Sequence, residues 1–306
     1  MQRNLLDYVV ISLKGIAMGA ADAVPGVSGG TIAFISGIYE ELINTISGVN
    51  LSLFKTWKDH GFFAFWKQLN GSFLVALLAG ILISFITFMR LAKYLIENHP
   101  ILIWSFFFGL IVASVYFVGK QITQWKLGSY IAFLLGTFAA YYISQLPSMG
   151  DTDSLWFLFL AGSLAICAMI LPGISGAFIL VVLGAYKTLS DALHDFNFKK
   201  IAVFSVGALI GILSFSHVLK WLFKNYHNVT LALLTGFIFG SLNKIWPWKR
   251  VLTWRTDSEG HSVPLIEKSI SPLNYDGNPQ LVFAIILMVV GFLTIFILER
   301  LGDKKD

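Results

Sequence analysis

Charge is scarce in this chain. Asp, Glu, Lys and Arg make up 13% of its 306 residues, against 56% hydrophobic. A soluble core of this length cannot hide so much apolar surface, so the surrounding solvent is largely lipid. Short alternating strands are also lacking, which excludes a membrane β-barrel. The single cysteine, Cys167, excludes an internal disulfide and reads as packing. No basic block or nucleic-acid motif accompanies the net charge of +5, so nucleic acid is not an expected partner. Histidines 60, 99, 194, 227 and 261 show no metal-ligand spacing, and no nucleophile–base–acid set is evident, so neither a metal, a cofactor nor an enzymatic reaction is expected. No small-residue cleavage site follows Arg3, and the first helix is expected to remain in place.

What is present is a series of apolar windows, at 72–89, 101–118, 129–143, 201–215, 229–242 and 281–298. They approach or reach the roughly 20 residues that cross the hydrocarbon as a helix. Trp57, Trp66, Trp104, Trp246 and Trp248 read as interfacial belt residues. Between two apolar arms lies DAVPGVSGGTIAFISGIYEEL (22–42), where proline, glycine and hydroxyl residues crowd together.

That stretch has a second copy. At an offset of 147, Pro25, Gly26, Ser28, Gly29, Gly37, Tyr39 and Leu42 meet Pro172, Gly173, Ser175, Gly176, Gly184, Tyr186 and Leu189. At an offset of 127, Gly80, Phe88, Lys93, Leu95, Asn98 and Gly109 meet Gly207, Phe215, Lys220, Leu222, Asn225 and Gly236, and Gly136 falls against Gly291. Order is kept throughout, as in a duplication of whole halves. The expected fold is an all-α polytopic membrane protein built as an inverted repeat, each half a re-entrant helical hairpin plus three transmembrane helices. The halves are 1–150, with its hairpin at about 5–48, and 151–306, with its hairpin at about 155–193 and a long loop at 244–280. Whether each arm spans or turns back, a half crosses an odd number of times, so the second half enters from the opposite face. Turned-back arms are favoured because Asp7, Lys14, Asp22, Glu40, Glu41 and Asn44 are too polar for lipid exposure. Basic residues give a slight preference for the N-terminus inside.

Inverted repeats of this kind belong chiefly to transporters, with the site at the repeat interface near the midplane. The expected site is therefore a paired anion cradle at the two tips. Its residues are Pro25, Gly26, Ser28, Gly29, Gly30 and Thr31 in the first half and Pro172, Gly173, Ser175 and Gly176 in the second. Glycine lets an oxyanion approach backbone N–H groups, and hydroxyls add donors. The bland alternative is that Pro and Gly only shape the turn and let helices pack closely. Lys14 and Asp22 occur only in the first half. They are read as substrate-binding groups or as a structural ion pair, with Asp22 and Glu40 as candidates for proton coupling. Arg90 with Lys93, and His217 with Lys220, stand three apart and share helix faces, ready to catch a phosphate near each surface or to snorkel.

The segments KGIAMGAADAVPGVSGGTIAFISGIYEELI from Lys14 and LPGISGAFILVVLGAY from Leu171 resemble a bacterial membrane family associated with polyprenyl-phosphate transport. Ala177 stands where that family often has serine. The resemblance implies that undecaprenyl phosphate is returned from the outer to the inner leaflet of the cytoplasmic membrane, to be reused in cell-envelope synthesis. Its partners would then be that lipid and the bilayer, and its mechanism alternating access of an anion-binding slot. Two rival readings are an intramembrane phosphatase similar to the undecaprenyl-pyrophosphate phosphatases, whose tips carry an arginine where this chain has Gly29 and Gly176, and a transporter of a small soluble anion.

Overall fold

The computed structural model describes residues 3–22, 28–146, 154–256 and 262–302. Helix α1 (Leu5–Asp22) leads to a broken arm, α2 (Gly29–Ile35) and α3 (Tyr39–Ser47). Then come α4 (Leu51–Gln68), α5 (Gly71–Asn98), α6 (Pro100–Lys120) and α7 (Leu127–Gln145). The chain goes on with α8 (Leu155–Ile170), α9 (Gly176–Val182) and α10 (Ala185–His194), followed by α11 (Phe198–Ser241). It continues through strands β1 (Lys249–Thr256) and β2 (Ser262–Ser269), a 3-10 turn at Pro272–Asn274 and α12 (Leu281–Gly302).

Local chemistry sets the boundaries. Ser28, Asn50, Ser175 and Asn197 cap α2, α4, α9 and α11 by accepting from backbone N–H groups of the first turn. Pro100 opens α6, where its missing N–H costs nothing. Gly37 (φ 74°) and Gly184 (φ 71°) take the left-handed conformation that side chains disfavour, and each divides an arm into two short helices. Between α9 and α10 the resulting bend is 107°.

Long helices meet through glycines that leave no room for a Cβ. Gly15 lies against the Leu77 carbonyl and Gly80 against that of Ser12, joining α1 to α5; Gly162 lies against Phe204 and Gly207 against Phe159, joining α8 to α11. These are the same contacts at the repeat offsets. Gly109 meets Met288 and Gly291 meets Phe106, while Gly236 meets Phe133 and Gly136 meets Leu233. Thus α6 packs on α12 of the other half, and the end of α11 packs on α7 of the first half.

The structure departs from expectation in four places. The windows 201–215 and 229–242 lie in one 44-residue element, α11, which breaks at Tyr226 (φ −136°, ψ 46°). That break matches His99 (φ −137°, ψ 49°) between α5 and α6, so α11 is two helices joined without a gap. The fold is not all-α: β1 and β2 form an antiparallel hairpin within the 244–280 segment. Helix α4 occupies a stretch in which no element was expected, and Gly61 (φ 80°) kinks it. Trp248 is not an interfacial belt residue. It is 2% exposed, packs with Ile101 and Ala284, and donates to the Pro279 carbonyl at 2.9 Å. Cys167 is half-buried against α11, its sulfur 3.5 Å from the Gly211 carbonyl.

Among the described residues four helices, or five counting the bent α9–α10 pair, are long and apolar enough to cross a membrane. Ile83 and Ile86 on α5 and Leu134 and Phe138 on α7 lie exposed, as lipid-facing side chains do. This is a multi-pass membrane protein. One end of the bundle gathers Arg3 with Glu41 at 2.6 Å, Asn70 with Glu41 at 2.9 Å and Thr123 with Asn228 at 3.0 Å. The other end carries the β-hairpin, docked on the starts of α6 and α12.

Candidate functional site

The two glycine-rich tips touch. The Gly173 N–H donates to Thr31 Oγ1 at 2.9 Å, and Ser28 Oγ lies 3.3 Å from the Leu171 carbonyl. Gly30 permits this approach, since a Cβ there would sit 2.6 Å from the Ile170 carbonyl. Gly173 adopts φ +83° and presses on the backbone of Phe237 and Ile238, a position open only to glycine. Ser28 and Thr31 are buried almost completely.

At the first tip the protein already supplies an anion. Asp22 Oδ1 accepts from Gly29 N at 2.6 Å, Ser28 Oγ accepts from Gly30 N at 3.2 Å, and the Ser28 carbonyl accepts from Thr31 N at 3.0 Å. The Asp22 carboxyl therefore takes up a backbone N–H that the sequence reading offered to an external oxyanion. The second tip differs, because Met169 stands in place of Asp22 and Phe178 in place of Thr31. Ser175 Oγ accepts from Phe178 N at 3.4 Å, while Pro172 and Gly176 are buried. Gly173 and Ser175 line a cleft of about 20 Å³ with Ser144, Ser241 and Lys244.

Lys14 and Asp22 do not form the ion pair considered for them. Lys14 Nζ donates to the Ser36 carbonyl at 2.6 Å, at the far end of α2 from Gly29. The length of α2, roughly 10 Å, separates the two partners. Pro25 and Gly26 lie outside the described residues, as do the side chains of Arg90 and Lys93. His217 Nδ1 meets the Leu213 carbonyl of its own helix at 2.7 Å.

Lys220 faces a larger space. It lines a cleft of about 230 Å³ with Lys224, Phe223, Glu40, Ile43 and Asn44. Glu40 lies 3.8 Å from His227 Nδ1 across the same junction of α3 with α11. Lys224, Asn44 and His227 are not among the site residues expected from sequence. The available signal was the spacing of four between Lys220 and Lys224, which puts both on one helix face.

Residues 18–263 match the family described as undecaprenyl phosphate translocase-like, a span that contains both tips and both clefts. The chain belongs to that family. Over 308 aligned residues it is 44% identical to the polyprenyl-phosphate transporter of Vibrio cholerae serotype O1, covering 99% of this chain and all of the relative. It is 33% identical over 254 residues to the polyprenyl-phosphate transporter of Staphylococcus aureus, covering 77% of this chain and 85% of the relative. No solved structure matches. Both relatives are named as transporters and neither as an enzyme, in keeping with the reading of this chain as a non-enzyme.

Proposed function

We propose that the protein carries polyprenyl phosphate, undecaprenyl phosphate above all, from the outer to the inner leaflet of the cytoplasmic membrane, recycling the lipid carrier of cell-envelope synthesis. The headgroup passes through an anion-binding slot formed where the tips meet, while the prenyl tail stays in lipid. The observation that carries this reading is the contact between Gly173 and Thr31 at 2.9 Å, since a slot shared by both halves needs the tips together.

The repeated glycine contacts support an inverted repeat. Helix α5, at 28 residues, is roughly 42 Å long and carries the chain away from the Arg3–Glu41 end. Residues 198–225 of α11 are equally long and lead toward Asn228, which lies at that same end. The halves thus run in opposite directions, and rocking one against the other changes the leaflet to which the slot opens. Asp22 guards the slot: its carboxylate occupies Gly29 N–H until protonation or movement releases that donor to the phosphate. Glu40 joins Asp22 as a proton-coupling group through its place beside His227. Lys220 and His217 serve headgroup capture near one surface, and Arg90 with Lys93 near the other. The names of the two bacterial relatives fit this substrate.

The test is leaflet exchange of undecaprenyl phosphate in liposomes holding the purified protein, with and without a pH gradient. Exchange well above that of protein-free liposomes is expected. Exchange no faster than in protein-free liposomes under either condition overturns the reading.

A further inference from the structure

Beside the second tip the fold concentrates positive charge in a place the repeat does not explain. Lys244 follows the end of α11, and Lys249 opens β1. Both ammonium groups address one carboxylate: Glu267 Oε2 is 3.8 Å from Lys244 Nζ and 3.5 Å from Lys249 Nζ. Lys249 is the more enclosed, its side chain 9% exposed and its Nζ 4.4 Å from the centre of the Trp104 ring. Lys244 Nζ lies 4.8 Å from the centre of the Phe178 ring, on the helix that follows the second tip.

The hairpin is fastened so that these groups hold position. Ser269 Oγ donates to the Asn243 carbonyl at 3.2 Å, Ile270 N to the Trp248 carbonyl at 3.0 Å, and Trp246 Nε1 to the Ile270 carbonyl at 2.8 Å. A structural anchor would need one cation for one carboxylate. Among the described residues two cations share the one carboxylate, and surplus charge costs free energy in a half-dry site unless a further anion joins it. The Lys244 side of the cluster faces the cleft lined by Ser175 and Gly173. Because Ser175 Oγ accepts from Phe178 N, its own O–H remains a donor. At the first tip Asp22 supplies the anion, whereas Met169 stands at the equivalent position here.

We propose that Lys244 and Lys249, with Ser175, form a phosphate-monoester site at the second tip, in which Glu267 is the internal anion that the phosphate displaces. This rests on the transport reading above and assigns the headgroup a seat on the hairpin side of the bundle. In the present conformation the cleft, about 20 Å³, has room for about one water and none for a phosphate. Entry therefore separates Lys244 from Glu267, and the lysines exchange one anion for another. Two cations match the charge of −1.5 to −2 that a phosphate monoester carries near neutral pH.

The experiment measures binding to the full-length protein in nanodiscs of neutral lipid, with three probes: farnesyl phosphate, farnesol and inorganic phosphate. Lys244→Gln should weaken farnesyl phosphate by about tenfold or more, as loss of a charge-assisted contact does. Glu267→Gln should tighten it, because the competing anion is gone; a merely structural Glu267 would give no gain. Lys268→Gln, an exposed neighbour on β2, should change nothing. Farnesol should bind weakly and show no response to Lys244→Gln. Normal farnesyl phosphate affinity in both Lys244→Gln and Glu267→Gln overturns this site and leaves the transport reading standing. Binding of inorganic phosphate alone, lost in Lys244→Gln, upholds the site and overturns the lipid as its source. A wild-type protein that binds neither phosphate overturns both.

Discussion

Tyr39 packs edge-on against Phe223, ring centres 5.9 Å apart, and is 2% exposed; Tyr186, its counterpart in the second half, is 41% exposed. Two residues equivalent by sequence thus hold opposite environments in one structure. Phe34 completes the cluster, 4.9 Å from Tyr39 and 6.4 Å from Phe223, and seals the junction of α3 with α11. Such asymmetry is what one conformation of an alternating device should contain, with one side shut.

The Tyr39 junction carries a built-in cost. Among the described residues the buried Tyr39 hydroxyl has no hydrogen-bond partner. An unsatisfied buried hydroxyl costs about 1–3 kcal/mol. Tyr39→Phe should therefore raise thermal stability by about 1 kcal/mol and slow leaflet exchange by holding the junction closed. Unchanged melting with unchanged exchange would remove Tyr39 from the gating account.

Helix contacts give a prediction that uses the repeat. A Cβ at Gly80 would collide with the Ser12 carbonyl, and one at Gly207 with the equivalent Phe159 carbonyl. Both are backbone atoms that cannot turn aside. Gly80→Ala and Gly207→Ala should each destabilise by about 2–4 kcal/mol, and by similar amounts. At Gly119 the nearest atom to an added Cβ is a Thr235 methyl at 3.8 Å, so Gly119→Ala should be nearly neutral. Thermal melts of the three purified variants decide it; equal tolerance at all three sites would contradict the close packing.

Lys249 makes the hairpin site sensitive to alkaline pH. Burial pushes it from 10.5 down to about 8; Glu267 opposes that shift and Lys244 adds to it. The unfolded chain thus holds the extra proton between pH 8 and 10.5, so this residue's contribution to stability improves as pH rises across that window. Phosphate binding moves the other way, because the cation is being lost. A phosphate monoester has finished its own titration near pH 6 and stays doubly charged. Affinity for farnesyl phosphate should fall between pH 7 and 9 with a midpoint near 8, and Lys249→Met should bind weakly with a flat profile. A wild-type profile that is also flat would show that Lys249 does not meet the phosphate.

Sequence made the framework readable because glycine spacing is a backbone requirement. Gly15, Gly80, Gly109, Gly136 and their second-half partners each mark a point where two helix backbones meet, so their spacing survives in both copies. The pairing of Gly37 with Gly184 was visible too, but its meaning was not, since a positive φ leaves no trace in composition. What stayed hidden depends on long-range placement. Lys14 lies a plausible two turns from Asp22 along α1, yet the chain returns Ser36 to Lys14 and Gly29 to Asp22. Lys249 and Glu267 belong to a hairpin with no counterpart in the first half, and Lys244 to the link that leads into it, so comparison of the copies passed over them. The same applies to α4, whose break at Gly61 and mixed charge conceal its helical pattern.

The most direct measurement is leaflet exchange of a prenyl phosphate in liposomes holding a variant altered only at the meeting point, Ser28→Ala with Gly29→Leu. A side chain at Gly29 would drive into the Asp22 carboxylate, and loss of Ser28 removes the cap on Gly30 N and the hydroxyl near Leu171. The account predicts a protein that still inserts and purifies but no longer moves the lipid. The cap is worth only about 1 kcal/mol, and the atoms met by an added Cβ at Gly29 belong to the Asp22 side chain, which can turn aside as the Ser12 and Phe159 carbonyls cannot. Exchange at the wild-type rate by a correctly inserted variant would mean that the phosphate does not pass where the two tips meet.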